Sequence, residues 1–310
     1  MDIIGHRKIF LSIAAALVGL ALVAIAVFGF REGIDFKGGT LWTFKAQAKD
    51  GSVPSVPAME QLFTTTLGVS DARVAYNPTS EEFLVRLTAV GESDHQAYAA
   101  KLGSNFSTFT ESSFQSIGPS VGAELRQNSL IAIALVLVGI SLYIAFAFRA
   151  VMKPVSSWKY GWITLITLFH DVLIPAGLLA VLGQYLKVEI DGNFIVALLV
   201  VMGFSVHDTI VVFDRIRENL FLDRGRRDFG TVVNASVNQT IARSINTSLT
   251  LILVLVALYF TGPANLHYFV LTLLVGVTTG IYSSIFVASP LLLVWQRFSA
   301  RPVPNKRSTT

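Results

Sequence analysis

The sequence predicts an α-helical membrane protein: six transmembrane helices, with one external α+β ferredoxin-like domain between helices 1 and 2. Three observations carry that prediction. The chain is 53% hydrophobic and only 14% charged, whereas soluble domains carry about 25% charge. Its mean hydropathy is +0.61. The apolar residues are also clustered into runs long enough to cross a bilayer, roughly Ile9–Phe30, Leu130–Phe148, Tyr160–Leu182, Phe194–Phe213, Ile241–Phe260 and Leu266–Trp295.

The first run follows His6, Arg7 and Lys8 and contains Ala24-Ile25-Ala26, a match to a signal-peptide cleavage site. It continues through Phe30, longer than a signal h-region, so an uncleaved anchor is the plainer reading. Orientation follows from Lys and Arg in short loops. One side carries Arg7, Lys8, Arg149, Lys153, Lys159, Arg215, Arg217, Arg224, Arg226, Arg227, Arg297, Arg301, Lys306 and Arg307; the other carries Lys187. Both termini are expected in the cytoplasm. The expected division is 1–30 for the N-terminus and helix 1, 31–127 for the external domain, 128–296 for helices 2 to 6 with a cytoplasmic loop at 214–240, and 297–310 for a cytoplasmic tail.

The stretch from Arg31 to Gln127 is polar, and about a hundred residues suffice for one small domain. Thr40–Ala46 is strand-like after Gly38-Gly39, and Pro57–Leu67 is helical, ended by Gly68. Ala72–Tyr76 and Phe83–Thr88 are short strands around the turn signal Asn77-Pro78-Thr79-Ser80. Asp94–Phe106 is helical and Thr108–Ile117 is a further strand. The order strand–helix–strand–strand–helix–strand is the split βαβ pattern. Its free face or edge is suited either to an extended polypeptide or to another subunit. Glu81, Glu82, Glu92 and Asp94 read as solvated loop charges. In the loop between spans four and five, Arg215–Thr240 mixes apolar and polar residues at helical spacing, which suggests an amphipathic stretch on the inner leaflet.

Several chemistries are excluded or disfavoured. There is no cysteine, hence no disulfide, zinc-thiolate or iron–sulfur site. Five scattered histidines form no HExxH pattern, and no GxxxxGK[ST] phosphate loop occurs. No cofactor, metal or nucleotide hydrolysis is expected. The net charge of +4 is distributed topogenically, so no nucleic-acid partner is expected.

Attention falls instead on ionisable residues inside the spans. Asp208 is the only acidic residue in Phe194–Phe213, and an ionised carboxylate there costs at least ~2.5–3.5 kcal/mol. Ser205, Asp208 and Thr209 share a helix face. On span five Arg243, Asn246, Thr247 and Thr250 share another, with Gln239 and Thr240 a turn earlier. On span three Thr164, Thr167 and Asp171 align, with His170 beside them and Pro175 a turn on. Span six carries a small-residue stripe of Thr272, Gly276, Thr279, Gly280 and Ser283, whose GxxxG spacing permits close approach. Asp208 and Arg243 lie at similar depth, so an Asp208–Arg243 pair with a switchable carboxylate is expected to form a proton pathway. Ser205, Thr209, Asn246, Thr247, His170 and Asp171 are its supporting polar residues. Alternatives stand beside this: Arg243 as a cation snorkelling to headgroups, Asp208 as a static structural ion pair, and His170 with Asp171 as an interhelical hydrogen-bond knot. His207 lies about 100° round the helix from Asp208.

These residues carry a resemblance. GIDFKGGT at Gly33–Thr40, VGAELRQNS at Val121–Ser129, HDVL at His170–Leu173, FSVHDTIVVFDRIREN at Phe204–Asn219 and VNQTIARSINTS at Val237–Ser248 resemble, in order and spacing, the SecD/SecF family of protein-export membrane proteins, on its SecF side. His207 stands where that family more commonly has Asn. The resemblance implies pairing with SecD, indirect work with the SecYEG channel and SecA, and use of the proton gradient to promote passage of an unfolded polypeptide. It implies that Asp208 and Arg243 are proton-pathway residues whose further acidic partner lies in SecD. Two other classes remain open at this point: half of a small-molecule or lipid exporter of the same resistance–nodulation–division superfamily, and a non-transporting assembly factor.

Overall fold

The computed structural model describes residues 1–78, 80–149 and 156–299. Thr79 of the expected turn, and the cations Lys153, Arg301, Lys306 and Arg307 used for orientation, lie outside the described residues. The chain divides into two compact units, Glu32–Leu130 and a second formed by Met1–Arg31 with Ile131 onward.

In the smaller unit, a short helix α2 (Ile34–Lys37) leads into β1 (Gly39–Gln47), α3 (Val56–Thr66), β2 (Arg73–Asn77), β3 (Glu82–Leu87), α4 (Glu92–Asn105) and β4 (Thr108–Ile117). The sheet order is β2-β3-β1-β4, and every neighbouring pair is antiparallel. β1 and β2 therefore run parallel with β3 inserted between them, each βαβ crossover supplying one helix. Alternation does the sorting. Thr40, Trp42, Phe44 and Ala46 of β1 are buried with Phe83, Val85 and Leu87 of β3 against Met59, Phe63 and Leu102 of the helices. Leu41, Thr43 and Lys45 alternate to the other face. β1 and β4 slip by one residue between Thr43 and Phe44, leaving Ser112 as a bulge. The bulge aims Glu111 at the core edge, where it accepts the Trp42 indole N–H at 2.9 Å.

The Gly38-Gly39 step has a tertiary reason as well as a turn reason. Gly38 has φ +76°, and a Cβ there would lie 2.7 Å from Pro119 Cα. Gly122 answers it from the other side, where a Cβ would be 2.8 Å from Gly38 N. The two glycine-bearing motifs thus cross backbone to backbone.

Six helices are long and apolar enough to span a membrane. They are α1 (Arg7–Phe28), α5 (Pro119–Ala147), α6 (Ser157–Leu186), α7 (Gly192–Asp223), α8 (Phe229–Thr261), and a sixth made of α9 (His267–Ser283), a π-helical turn (Ser284–Ala288) and α10 (Ser289–Ser299). Several outrun their apolar stretches. α5 begins at Pro119, ahead of Val121–Ser129, α7 continues to Asp223, and α8 starts at Phe229. The expected amphipathic stretch on the membrane surface is therefore corrected: Arg215–Thr240 is the end of α7 and the start of α8, joined by a short turn with Arg224 at φ 53° and Gly225 at φ 80°. At 1.5 Å per residue each of these helices is ~48–50 Å long, well beyond the ~30 Å hydrocarbon core. Local pairs tie the two helices: Asn219 Nδ2 donates to Ser236 Oγ at 2.8 Å and to Gln239 Oε1 at 2.9 Å. Asp228 caps α8 through Gly230 N–H at 2.9 Å.

α1 lies close against α6 because Gly177 presents no side chain: a Cβ there would sit 2.6 Å from Ala21 Cα. Gly19, on α1, faces open space. Gly177→Val is expected to force the two helices apart at about 1–3 kcal/mol, while Gly19→Val stays near neutral. Thermal unfolding of the two variants in the same detergent checks this, and equal loss in both would remove the contact as the cause.

Candidate functional site

The site is built on the most buried faces of α6, α7 and the sixth span. Thr164, Thr167 and Asp171 of α6 are fully buried. The two threonines turn back on their own helix, Thr164 Oγ1 donating to Tyr160 O at 2.8 Å and Thr167 Oγ1 to Thr164 O at 2.9 Å. They pad the helix rather than reach a neighbour. Asp171 does reach out. Its Oδ2 accepts from Ser205 Oγ of α7 at 2.5 Å and from Ser283 Oγ of α9 at 2.7 Å. Its Oδ1 lies 2.8 Å from His170 Nδ1. One carboxylate thus ties three helices. Pro175, four residues on, lacks the N–H that would have bonded the Asp171 carbonyl, so α6 carries a missing rung at the same level.

α7 brings Ser205, Asp208 and Thr209 to one face, each about 1% exposed. Gly280 lets α9 come in, since a Cβ there would lie 3.1 Å from Ser205 Cβ, and Gly276 similarly abuts Val201. Thr209 Oγ1 and Ser284 Oγ are 2.9 Å apart. Ser284 opens the π-helical turn, and such turns re-aim side chains inside a helix. Here the neighbours Ser283 and Ser284 serve Asp171 on α6 and Thr209 on α7.

Asp208 is placed differently. Its Oδ2 accepts from Ser248 Oγ of α8 at 3.0 Å. Its Oδ1 is buried without a hydrogen-bond partner. His207 approaches to 3.9 Å through Nδ1, although its side chain is 63% exposed. The structure does not bring Arg243 to Asp208. No ion pair joins them among the described residues, and Arg243, Asn246, Thr247 and Thr250 all lie on an exposed face of α8. The residues of α8 that turn inward are Ser236, Thr240, Ser244 and Ser248. Small hydroxyl residues let α8 approach α7 closely, and an arginine one position away is rotated about 100° off that contact. The stripe itself is real as a face; its direction is outward. Ser244 and Ser248, spaced i and i+4, were the sequence signal for the inward face. No group of three or more metal-ligating side chains occurs among the described residues.

The Asp171 tie has a measurable strength. Side-chain hydrogen bonds between membrane helices average about 0.6 kcal/mol and reach about 1.7 kcal/mol. Ser283→Ala is expected to lower stability by about 1 kcal/mol, and a Ser283→Ala/Asp171→Asn double-mutant cycle to return a coupling of similar size. Full additivity in that cycle means the bond is absent.

Comparison with known proteins adds to this geometry. The family model "Protein export membrane protein SecD/SecF, C-terminal" matches residues 97–298, and "SecD/SecF GG Motif" matches residues 23–49. A protein translocase subunit SecF from Thermobaculum terrenum is 42% identical over 96% of this chain and 94% of its own length. One from Anaerolinea thermophila is 36% identical over 96% of this chain and 94% of its own. The crystal structure of SecDF from Thermus thermophilus, described as a translocon-associated membrane protein, superposes with a TM-score of 0.77 at 33% identity over 96% of this chain. This chain spans 39% of that longer one. The chain, with its six membrane-length helices and its double-glycine motif, belongs to the SecD/SecF family of protein-export membrane proteins.

Proposed function

We propose that this chain is an accessory subunit of the Sec protein-export machinery that uses the proton gradient, together with a SecD-type companion, to promote passage of an unfolded polypeptide. The observation that carries the proposal is the division of polar groups on α8. Arg243, Asn246, Thr247 and Thr250 are exposed on a membrane-length helix, and a charged residue facing lipid there costs at least ~2.5–3.5 kcal/mol. A companion membrane helix bearing an acidic side chain would cover that stripe. Behind it, one oxygen of Asp208 has no hydrogen-bond partner, with His207 Nδ1 at 3.9 Å. A buried carboxylate with one donor and one idle oxygen is suited to exchanging a proton, and Arg243 to following its charge from the subunit boundary. The relationship in length supports a companion: the single-chain SecDF of Thermus thermophilus is 36% identical over 91% of this chain, which covers 37% of it.

In this reading both termini and the α7–α8 turn are cytoplasmic in a bacterial inner membrane, as the Lys and Arg distribution favours. The 32–130 unit then lies outside as a ferredoxin-like domain, an assignment its element order and antiparallel sheet support. Ser205, Thr209, His170 and Asp171 hold the helices around Asp208, and Asn246 and Thr247 line the companion-facing stripe. Movement of one charge through 100 mV supplies ~2.3 kcal/mol. Energy enters as protons and not by nucleotide hydrolysis, and contact with SecYEG and SecA is through the assembled channel.

Asp208→Asn is expected to copurify with the companion but to lose the gradient-stimulated part of export, measured in inverted membrane vesicles with and without an uncoupler. Arg243→Gln is expected to do the same. Unchanged stimulation with Asp208→Asn would overturn the proposal. Loss of copurification with intact turnover would instead favour a non-transporting assembly role, and normal export with lipid or drug accumulation would favour an exporter.

A further inference from the structure

Residues 1–6, ahead of α1, are seated on another helix. Ile3 and Ile4 are buried in the same apolar cluster as Phe229, Val233 and Val237 of α8 and Leu293 of α10. Their backbone is held by a side chain of α8. Asn234 Oδ1 accepts the N–H groups of Ile3 at 2.9 Å and Ile4 at 3.2 Å, and Asn234 Nδ2 donates to the Met1 carbonyl at 3.1 Å. Asn238 Nδ2 donates to the same carbonyl at 2.8 Å. Residues four apart share a helix face, so α8 presents two amides beside an apolar floor. The turn into α1 is local. Asp2 Oδ1 accepts the Gly5 N–H at 2.8 Å, and a side chain at Gly5 would collide with that carboxylate.

The other end of this segment is anchored elsewhere. The Phe10 carbonyl of α1 accepts the Tyr282 hydroxyl at 2.8 Å, and the Phe10 ring lies 4.5 Å from that of Phe286. Phe286 belongs to the π-helical turn, whose Ser284 meets Thr209 of α7. The segment therefore joins the sixth span to α8 without passing through α7. At the same level α8 is gripped from the α7 side by Asn219, through Ser236 and Gln239. Further along, Ser244 and Ser248 face inward, and Ser248 reaches Asp208.

We propose that residues 1–6 are a strap that sets the position of α8, and that Asn234 is the positioning residue that seats it. Ser248 lies about four turns along the same helix, so a shift of the seat is carried to it by the rigidity of the helix. A seated strap keeps Ser248 on Asp208 and Arg243 on the outward face. The consequence for export rests on the reading of Asp208 given above; the consequence for helix position does not.

The test uses the full chain with its copurifying companion in lipid nanodiscs. The chain has no cysteine, so a single thiol introduced into it is followed by mass as N-ethylmaleimide reacts. Val233→Cys lies in the apolar cluster that takes Ile3 and Ile4. Ser244→Cys lies on the inward face and gives up no hydrogen bond, because its hydroxyl has no partner. Both thiols are expected to be shielded. Asn234→Ala and Asn234→Leu are expected to speed modification of each about tenfold, since buried N–H groups without an acceptor favour local opening. Asn234→Asp keeps the accepting oxygen, and Asn238 still serves the Met1 carbonyl, so its rates are expected to stay near those of the unsubstituted strap. A space-filling role gives the reverse order, with Leu slow and Asp fast. Ile3→Ala/Ile4→Ala leaves α8 unaltered and is expected to match Asn234→Ala; it decides the matter where an Asn234 variant does not fold. Gradient-stimulated export, measured without the added thiols, is expected to fall in the same order. Unchanged shielding in Asn234→Ala, the reverse order, or reactive thiols with undiminished export overturns the proposal. Absence of gradient stimulation in the unsubstituted chain overturns the export reading alone, and the order of thiol rates still decides the strap.

Discussion

Inside a bilayer no water is available to rescue an unpaired polar group, and the arrangement of this protein's membrane helices follows from that constraint. Asp171 meets it most completely. Its two oxygens take Ser205, Ser283 and His170, so α6, α7 and α9 converge on one carboxylate. The small residues Gly276 and Gly280 let α9 come close enough to α7, and the π-helical turn presents Ser283 and Ser284 to different neighbours. Pro175 leaves a gap in the backbone ladder of α6 beside the same carboxylate. A buried carboxyl group with both oxygens bonded is a joint, and the surrounding irregularities are what make the joint reachable.

Asp208 is the contrasting case, one turn along α7 from Ser205. It receives a single hydroxyl, from Ser248, and retains an idle oxygen. The difference between the two aspartates is one of donors, not of burial, since both are almost wholly shielded. A carboxyl group tied on both oxygens and one bonded through a single oxygen therefore sit on adjoining helices. α8 completes the division of labour. Its hydroxyl face closes on Asp208, and its Arg243 face looks away from the chain, so a charged surface is exposed on a helix of membrane length.

Much of this was legible beforehand because apolar runs report the bilayer directly. Hydropathy does not report helix length, though, which is why the polar continuations at Val121–Ser129, Arg215–Asp223 and Phe229–Thr240 read as loops or surface stretches. A helix emerging from a membrane becomes polar without ceasing to be a helix, as the bonds from Asn219 to Ser236 and Gln239 require. In the sheet unit, alternation placed the strands to within a residue or two. The Ser112 bulge, and with it the aim of Glu111 at Trp42, left no trace in the pattern because serine is unremarkable in an exposed strand.

The residues that matter in the membrane were visible as stripes: Ser205, Asp208 and Thr209 on one helix, Arg243 and Asn246 on another, Gly276 through Ser283 on a third. The sequence by itself determined which residues share a face, since 3.6 residues per turn is local geometry. It also determined that six stretches are apolar enough to cross a membrane and that the glycine pair must permit close contact or unusual backbone. Which face meets which neighbour was decided only by tertiary structure. Ser248, rather than Arg243, reached Asp208, and Ser283 found Asp171, because interhelical distance depends on the small side chains at each crossing, and those distances are set jointly by several helices that no single stretch of sequence encodes.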